Sequence, residues 1–150
     1  MNAPSDKAAF IEQNGYYVST PQGSSMKPFI RGGRDTVILA PVTEEPERYD
    51  VVLYVNGAGE HVLHRIVRKK NGAFLVRGDH CYYNEYVKRE QMIGVLERIV
   101  RDGTTVIDVK TDRRRAFAVR LWVWLYPARK IINYLRRAAA KLIRPAGKKK

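Results

Sequence analysis

The stretch YDVVLYVNGAGEHVLHRIVRKKNGAFLVRG, Tyr49 to Gly78, contains three runs rich in Val, Leu, Ile and aromatic residues. Two short segments interrupt them, NGAG (Asn56 to Gly59) and KKNG (Lys69 to Gly72). Asn and Gly accept positive φ, so each interruption predicts a tight hairpin between neighbouring strands. Working outward, MIGVLERIVRDGTTVIDVK predicts a further hairpin across Asp102 and Gly103, and RDTVILAPV predicts a strand that ends at Pro41. Short strands recurring at roughly ten-residue spacing between about Tyr16 and Asp108 argue for a mainly β fold, either a strongly bent sheet or a partial barrel.

The last third has a different period. Leu121, Leu125, Ala128, Ile132, Leu135, Ala139 and Leu142 recur at helical spacing on one face. Lys130, Arg137, Lys141 and Arg144 fall towards the other, and Pro127 should kink or restart the helix. Trp122, Trp124 and Tyr126 lead it, where amphipathic rings suit a lipid headgroup layer. Two readings stand side by side. The helix lies on a membrane surface, or it packs its apolar face on the sheet and leaves its arginines in water.

Charge divides the chain at the same place. Residues 1–112 carry 15 Lys and Arg against 15 Asp and Glu, whereas residues 113–150 carry 13 basic residues and no acidic one. A neutral body with a cationic tail is suited to an anionic surface. Membrane is the expected partner and nucleic acid is not, since no nucleic-acid-binding motif accompanies the charge. The single cysteine, Cys81, excludes an intrachain disulfide and a cysteine-rich metal site. MNAPSDKAAFIEQNG lacks the apolar core of a secretory signal, and no apolar run reaches the roughly 18 residues of a spanning helix. The expectation is a cytoplasmic or peripherally membrane-bound protein with no metal and no cofactor.

The chemistry is carried by QGSSMKPFIRGG, Gln22 to Gly33. A serine hydroxyl becomes a useful nucleophile only when a neighbouring base removes its proton. The candidate partners are His61 and His64 in EHVLHRIV and Asp79 in LVRGDHCYYNE. Three positions apart on a strand, His61 and His64 face opposite sides, so only one of them can point at a given site.

SSMKPFI, then VLHRIV, then LVRGDHCYYNE together resemble the ordered boxes of the signal-peptidase and LexA-like serine peptidase clan. The form is the one found in archaeal and endoplasmic-reticulum signal peptidases, where histidine replaces the bacterial lysine. YDVVLYV resembles the strand box between them, with Asp50 in its acidic place. The resemblance covers about Tyr16 to Gly94 and implies that residues 1–112 form a peptidase-like β domain carrying a basic helical tail, 113–150. It implies Ser25 as nucleophile, His64 as general base and Asp79 as the acidic residue that supports His64 or orders the site. It also implies an oxyanion hole at the Ser25 N–H with Ser24 or Gly23, next to Met26 and Pro28. The chain departs from the pattern at His80 and Cys81, where two asparagines are usual, and Glu85 is the nearest match to a second acidic residue.

Pro28 fixes φ and should stiffen the segment after the nucleophile. The implied activity is a serine endopeptidase acting on an extended peptide or protein segment. The alternative is a peptidase-like fold without chemistry, serving as a peptide-binding or scaffold module. His61 is expected as an exposed strand residue, Cys81 as a small buried one, and Tyr82, Tyr83 and Tyr86 as packing residues.

Overall fold

The computed structural model describes residues 3–143, with the side chains of residues 3–6, 142 and 143 outside the description. Arg144 and the Leu142 side chain, expected on the two faces of the C-terminal helix, therefore lie outside the described residues. Helix α1 (Ala3–Asn14) leads into eight strands: β1 (Tyr17–Ser19), β2 (Thr36–Ala40), β3 (Val51–Val55), β4 (His61–Lys70), β5 (Ala73–Arg77), β6 (Glu85–Val87), β7 (Met92–Arg101) and β8 (Thr105–Asp108). Helices α2 (Arg113–Trp124) and α3 (Tyr126–Ile143) follow. The strands form one antiparallel sheet in the order β1-β2-β7-β3-β4-β5-β6, with β8 paired to β7. The sheet is open, so the bent-sheet expectation holds and no barrel closes.

All three predicted hairpins are present, joining β3 to β4, β4 to β5 and β7 to β8. The last two turn on Asn71-Gly72 and Asp102-Gly103, each pair with positive φ at both positions, the geometry whose twist matches that of the flanking strands. Register shifts at Ile38/Leu39, Leu53/Tyr54 and Ile66/Arg68 add local twist and bend the sheet.

That bend produces two cores, one on each face. Met26, Ile30, Val37, Leu39, Val51, Leu53, Leu63, Leu96 and Ile99 form the first. The second gathers Val52, Tyr54, Ile66, Phe74, Val76, Val87 and Met92. Strands β3 and β4 serve both cores, so Val51–Tyr54 and Leu63–Val67 are buried without interruption rather than on alternate residues.

Helix α1 had no counterpart in the sequence reading. It is anchored by the wholly buried Ile11, whose Cδ1 lies 3.3 Å from where a Cβ on Gly94 would sit. At the other end, Pro127 stands at the second position of α3, and the helical tail breaks at Leu125 as its proline predicts. Asp112 caps α2, its carboxylate accepting from the Arg115 N–H at 3.0 Å. No helix among the described residues is long and apolar enough to cross a membrane.

Candidate functional site

The Ser25 loop is held at both ends before any chemistry is considered. Met26 and Ile30 bury their side chains in the first core. The Gly33 N–H donates to the Pro21 carbonyl at 2.8 Å. Asp35, fully buried, accepts from the Arg31 N–H and its guanidinium at 2.9, 2.9 and 2.7 Å. Burial pushes the Asp35 carboxyl up, but the Arg31 bonds and the Arg101 charge outweigh it, so its pKa lies below the usual carboxylate value. Gly23 has φ +86°, and a Cβ on Gly32 would meet the Gly23 carbonyl oxygen at 1.9 Å. Gly23 and Gly32 therefore let two backbone segments of the loop touch. The Lys27–Pro28 peptide is cis.

Gly78, just after β5, is where the predicted residues meet. A Cβ placed there would lie 2.8 Å from the Ser25 carbonyl oxygen, 3.0 Å from His64 Nε2 and 2.7 Å from Cys81 Sγ. The Ser25 backbone and the His64 ring are thus separated by no more than the sum of the first two distances. The His80 N–H also donates to the Ser25 carbonyl at 2.7 Å, tying the two loops directly. The Ser25 N–H makes no hydrogen bond to another described residue and remains free to donate.

The ring of His64 is oriented from behind. Its Nδ1 lies 3.2 Å from the Tyr54 hydroxyl, and that hydroxyl donates to Glu85. A phenol has one proton, and here Glu85 takes it, so Nδ1 carries the hydrogen donated to Tyr54. The tautomer follows: Nε2, the nitrogen beside Gly78, keeps its lone pair. Burial pushes the Tyr54 pKa up, reinforced by Glu85, so the phenol stays a donor. Burial also lowers the His64 pKa, partly offset by Glu85 and Asp79, which leaves a neutral imidazole at neutral pH. A neutral imidazole with a free lone pair can accept a proton.

Asp79 differs from the expected supporting role. Both of its oxygens accept from Arg65, Nε and Nη2 each at 2.7 Å, and the pair is buried on both sides. Asp79 makes no hydrogen bond to His64, and its oxygens lie against the Arg65 guanidinium instead. Its contribution is to order the loop. The Asp79 carbonyl accepts from Trp122 Nε1 and from Arg129, both at 2.8 Å. Helix α2 grips the serine loop as well, with Arg115 donating to the Phe29 carbonyl and Trp122 edge-on to the Phe29 ring.

On the other face of β4 lies a pocket of about 230 Å³. Ser25, Gly23 and Met26 form its rim and Ile30, Val37, Leu39, Leu53 and Leu63 give it an apolar lining. His61 lines it too, half-buried rather than exposed, with an Nε2 that has no partner. Burial, then the Lys7 charge, lowers its pKa. Ser24 and Pro28 are exposed and outside this lining, so of the expected substrate contacts only Gly23 and Met26 reach it. Pro28 shapes the turn between Met26 and Ile30, both core residues. Cys81 is half-buried rather than buried, and Tyr83 and Tyr86 are exposed, while Tyr82 stacks on Tyr126.

Tyr54 and Glu85 complete the His64 site, and Tyr54 was missed. The signal existed: once the Asn56–Gly59 turn pairs Tyr54 with Val62, Tyr54 and His64 share a face as diagonal neighbours. No group of three His, Cys, Asp or Glu side chains among the described residues is positioned to hold a metal. No protein-family model matches this chain, and no curated protein matches it significantly.

Proposed function

We propose that the protein is a serine endopeptidase in which Ser25 attacks and His64 is the base. One observation carries this reading: His64 Nε2 and the Ser25 backbone converge on Gly78, and the Tyr54–Glu85 pair behind the ring favours a lone pair on Nε2. His64 Nε2 takes the proton from the Ser25 hydroxyl as its oxygen bonds to the substrate carbonyl carbon. The same imidazole returns that proton to the leaving amine as the peptide bond breaks. Water, deprotonated in turn by His64, then releases the acyl group from Ser25. The free N–H of Ser25 faces the developing oxyanion as a donor.

The pocket's lining supports an extended peptide with an apolar side chain before the scissile bond. Two open strand edges flank it. β1 pairs only with β2, and β4 pairs with β5 only from Arg65 onward, leaving His61 to His64 unpaired on that side. A peptide added to such an edge gains backbone hydrogen bonds while its alternate side chains meet the pocket.

A fluorophosphonate probe tests the assignment. Labelling of the full chain should fall at least about a thousandfold in Ser25→Ala and in His64→Ala. Cys81→Ala, which removes the other nucleophile beside Gly78, should label normally. Labelling that survives Ser25→Ala, or that vanishes with Cys81→Ala alone, assigns the chemistry elsewhere. A folded wild-type chain that takes no label is a binding module instead.

A further inference from the structure

Amphipathic helices on globular domains normally bury their apolar stripe, but α3 is mounted the other way round. The side facing the body is polar. Tyr126 donates to the Tyr82 carbonyl at 3.0 Å, and Arg129 donates to the Asp79 and Trp122 carbonyls at 2.8 and 3.3 Å. Asn133, one turn further along that side, is half-buried. On a helical projection the opposite side holds Ala128, Ile131, Ile132, Leu135 and Ala139. Ile131 is 61 %, Ile132 54 % and Leu135 58 % exposed. Helix α2 packs Val119 and Trp122 on the body and still points Phe117, Leu121 and Trp124 outward. Trp124 is 75 % exposed.

We infer that the outward faces of α2 and α3 bind an anionic lipid bilayer, lying in its interface. Charge selects this occupant. Every charged residue of the two helices is basic; Lys130, Arg137 and Lys141 are exposed on the polar side of α3, and Arg113 and Arg114 of α2 and Arg136 of α3 are exposed beside the outward apolar stripes. Their long stems can lie along the apolar layer while the charges reach lipid phosphates. A second copy of this chain would bring the same sign of charge against itself. A nucleic acid would satisfy the charges and leave the isoleucines in water.

The test uses the full chain and vesicles of phosphatidylcholine with about a third phosphatidylglycerol, against pure phosphatidylcholine. The chain should float with the anionic vesicles only, and raising the salt to about 0.5 M should reduce the bound fraction severalfold. Trp124 should move into an apolar layer, giving a blue shift in emission that Trp124→Phe abolishes. The triple variant Ile131→Glu, Ile132→Glu, Leu135→Glu alters only exposed side chains and should keep its circular dichroism while losing at least about tenfold in binding. Equal flotation of the triple variant overturns the inference, as does equal binding to neutral vesicles. So does self-association without lipid that the triple variant abolishes, or polynucleotide binding with no vesicle binding. Flotation reads no peptide cleavage, so its outcome is independent of Ser25.

Discussion

Asp79 and Glu85 both act on the His64 imidazole, and both raise its pKa against the effect of burial. They differ in what else holds them. Asp79, in the loop after β5, spends both oxygens on Arg65 inside the protein. Glu85, at the start of β6, is half-buried and reaches His64 through the Tyr54 hydroxyl. The comparison separates two duties that a single triad carboxylate often combines. One anion holds the loop that keeps Gly78 against Ser25, and the other acts on the His64 ring through the Tyr54 hydroxyl. Asp79 is held by the guanidinium and reaches the His64 ring through its charge alone, with no hydrogen bond to it.

The largest effect should come from breaking the architectural side. Asp79→Asn leaves the Arg65 guanidinium buried without its counter-charge, at a cost of about 3–5 kcal/mol. A drop in thermal midpoint of about 10 °C should be measured by calorimetry or circular dichroism. A variant that unfolds with the wild type would mean that the two carboxylates are equivalent. Next comes Tyr54→Phe, which leaves the Nδ1–H of His64 facing an apolar ring. Probe labelling should slow roughly ten- to hundredfold, the kinetic equivalent of about 1–3 kcal/mol for an unpartnered donor. If the rate is unchanged, Tyr54 does not orient the base.

Glu85→Gln is the finest comparison, because the new amide still offers Tyr54 an acceptor. Labelling should slow by about tenfold or less, and the pH profile should move. The sign follows from the charges. In the proposed mechanism neutral His64 is the active form, so labelling should fall on the acid side at a midpoint below the ordinary imidazole value. Removing the Glu85 charge disfavours the imidazolium further and should shift that midpoint to lower pH. A shift to higher pH would contradict the arrangement. Stability has a matching dependence. The unfolded chain protonates its imidazole at the ordinary value while folded His64 resists, so stability declines as pH falls through that value.

Much of the sheet was legible because its signals are local. Asn71-Gly72 and Asp102-Gly103 dictate turns within a few residues, and each turn sets the register of the strands beside it. The resemblance paired Ser25 with His64, and both reach Gly78 in the fold; the opposite facing of His61 and His64 followed from strand parity. The immediate partners of Ser25 and His64 were not legible. That Arg65 claims Asp79 depends on a guanidinium swinging across from the neighbouring strand, and composition carries no trace of that choice. Helix α1 was hard to see because among its described residues only Ile11 is buried against the sheet.

The tail marks the same boundary most clearly. Its residues alone established a helix with an apolar stripe, a basic opposite side and a break near Pro127, since these follow from periodicity and backbone chemistry. They left open which side faces the body, because a stripe can be buried or displayed with equal local propensity. That was decided by long-range hydrogen bonds: Tyr126, Arg129 and Trp122 bind carbonyls of the Asp79–Tyr82 loop some 43 to 50 positions away in the chain. Once those polar groups are satisfied against the body, Ile131, Ile132 and Leu135 can only point outward.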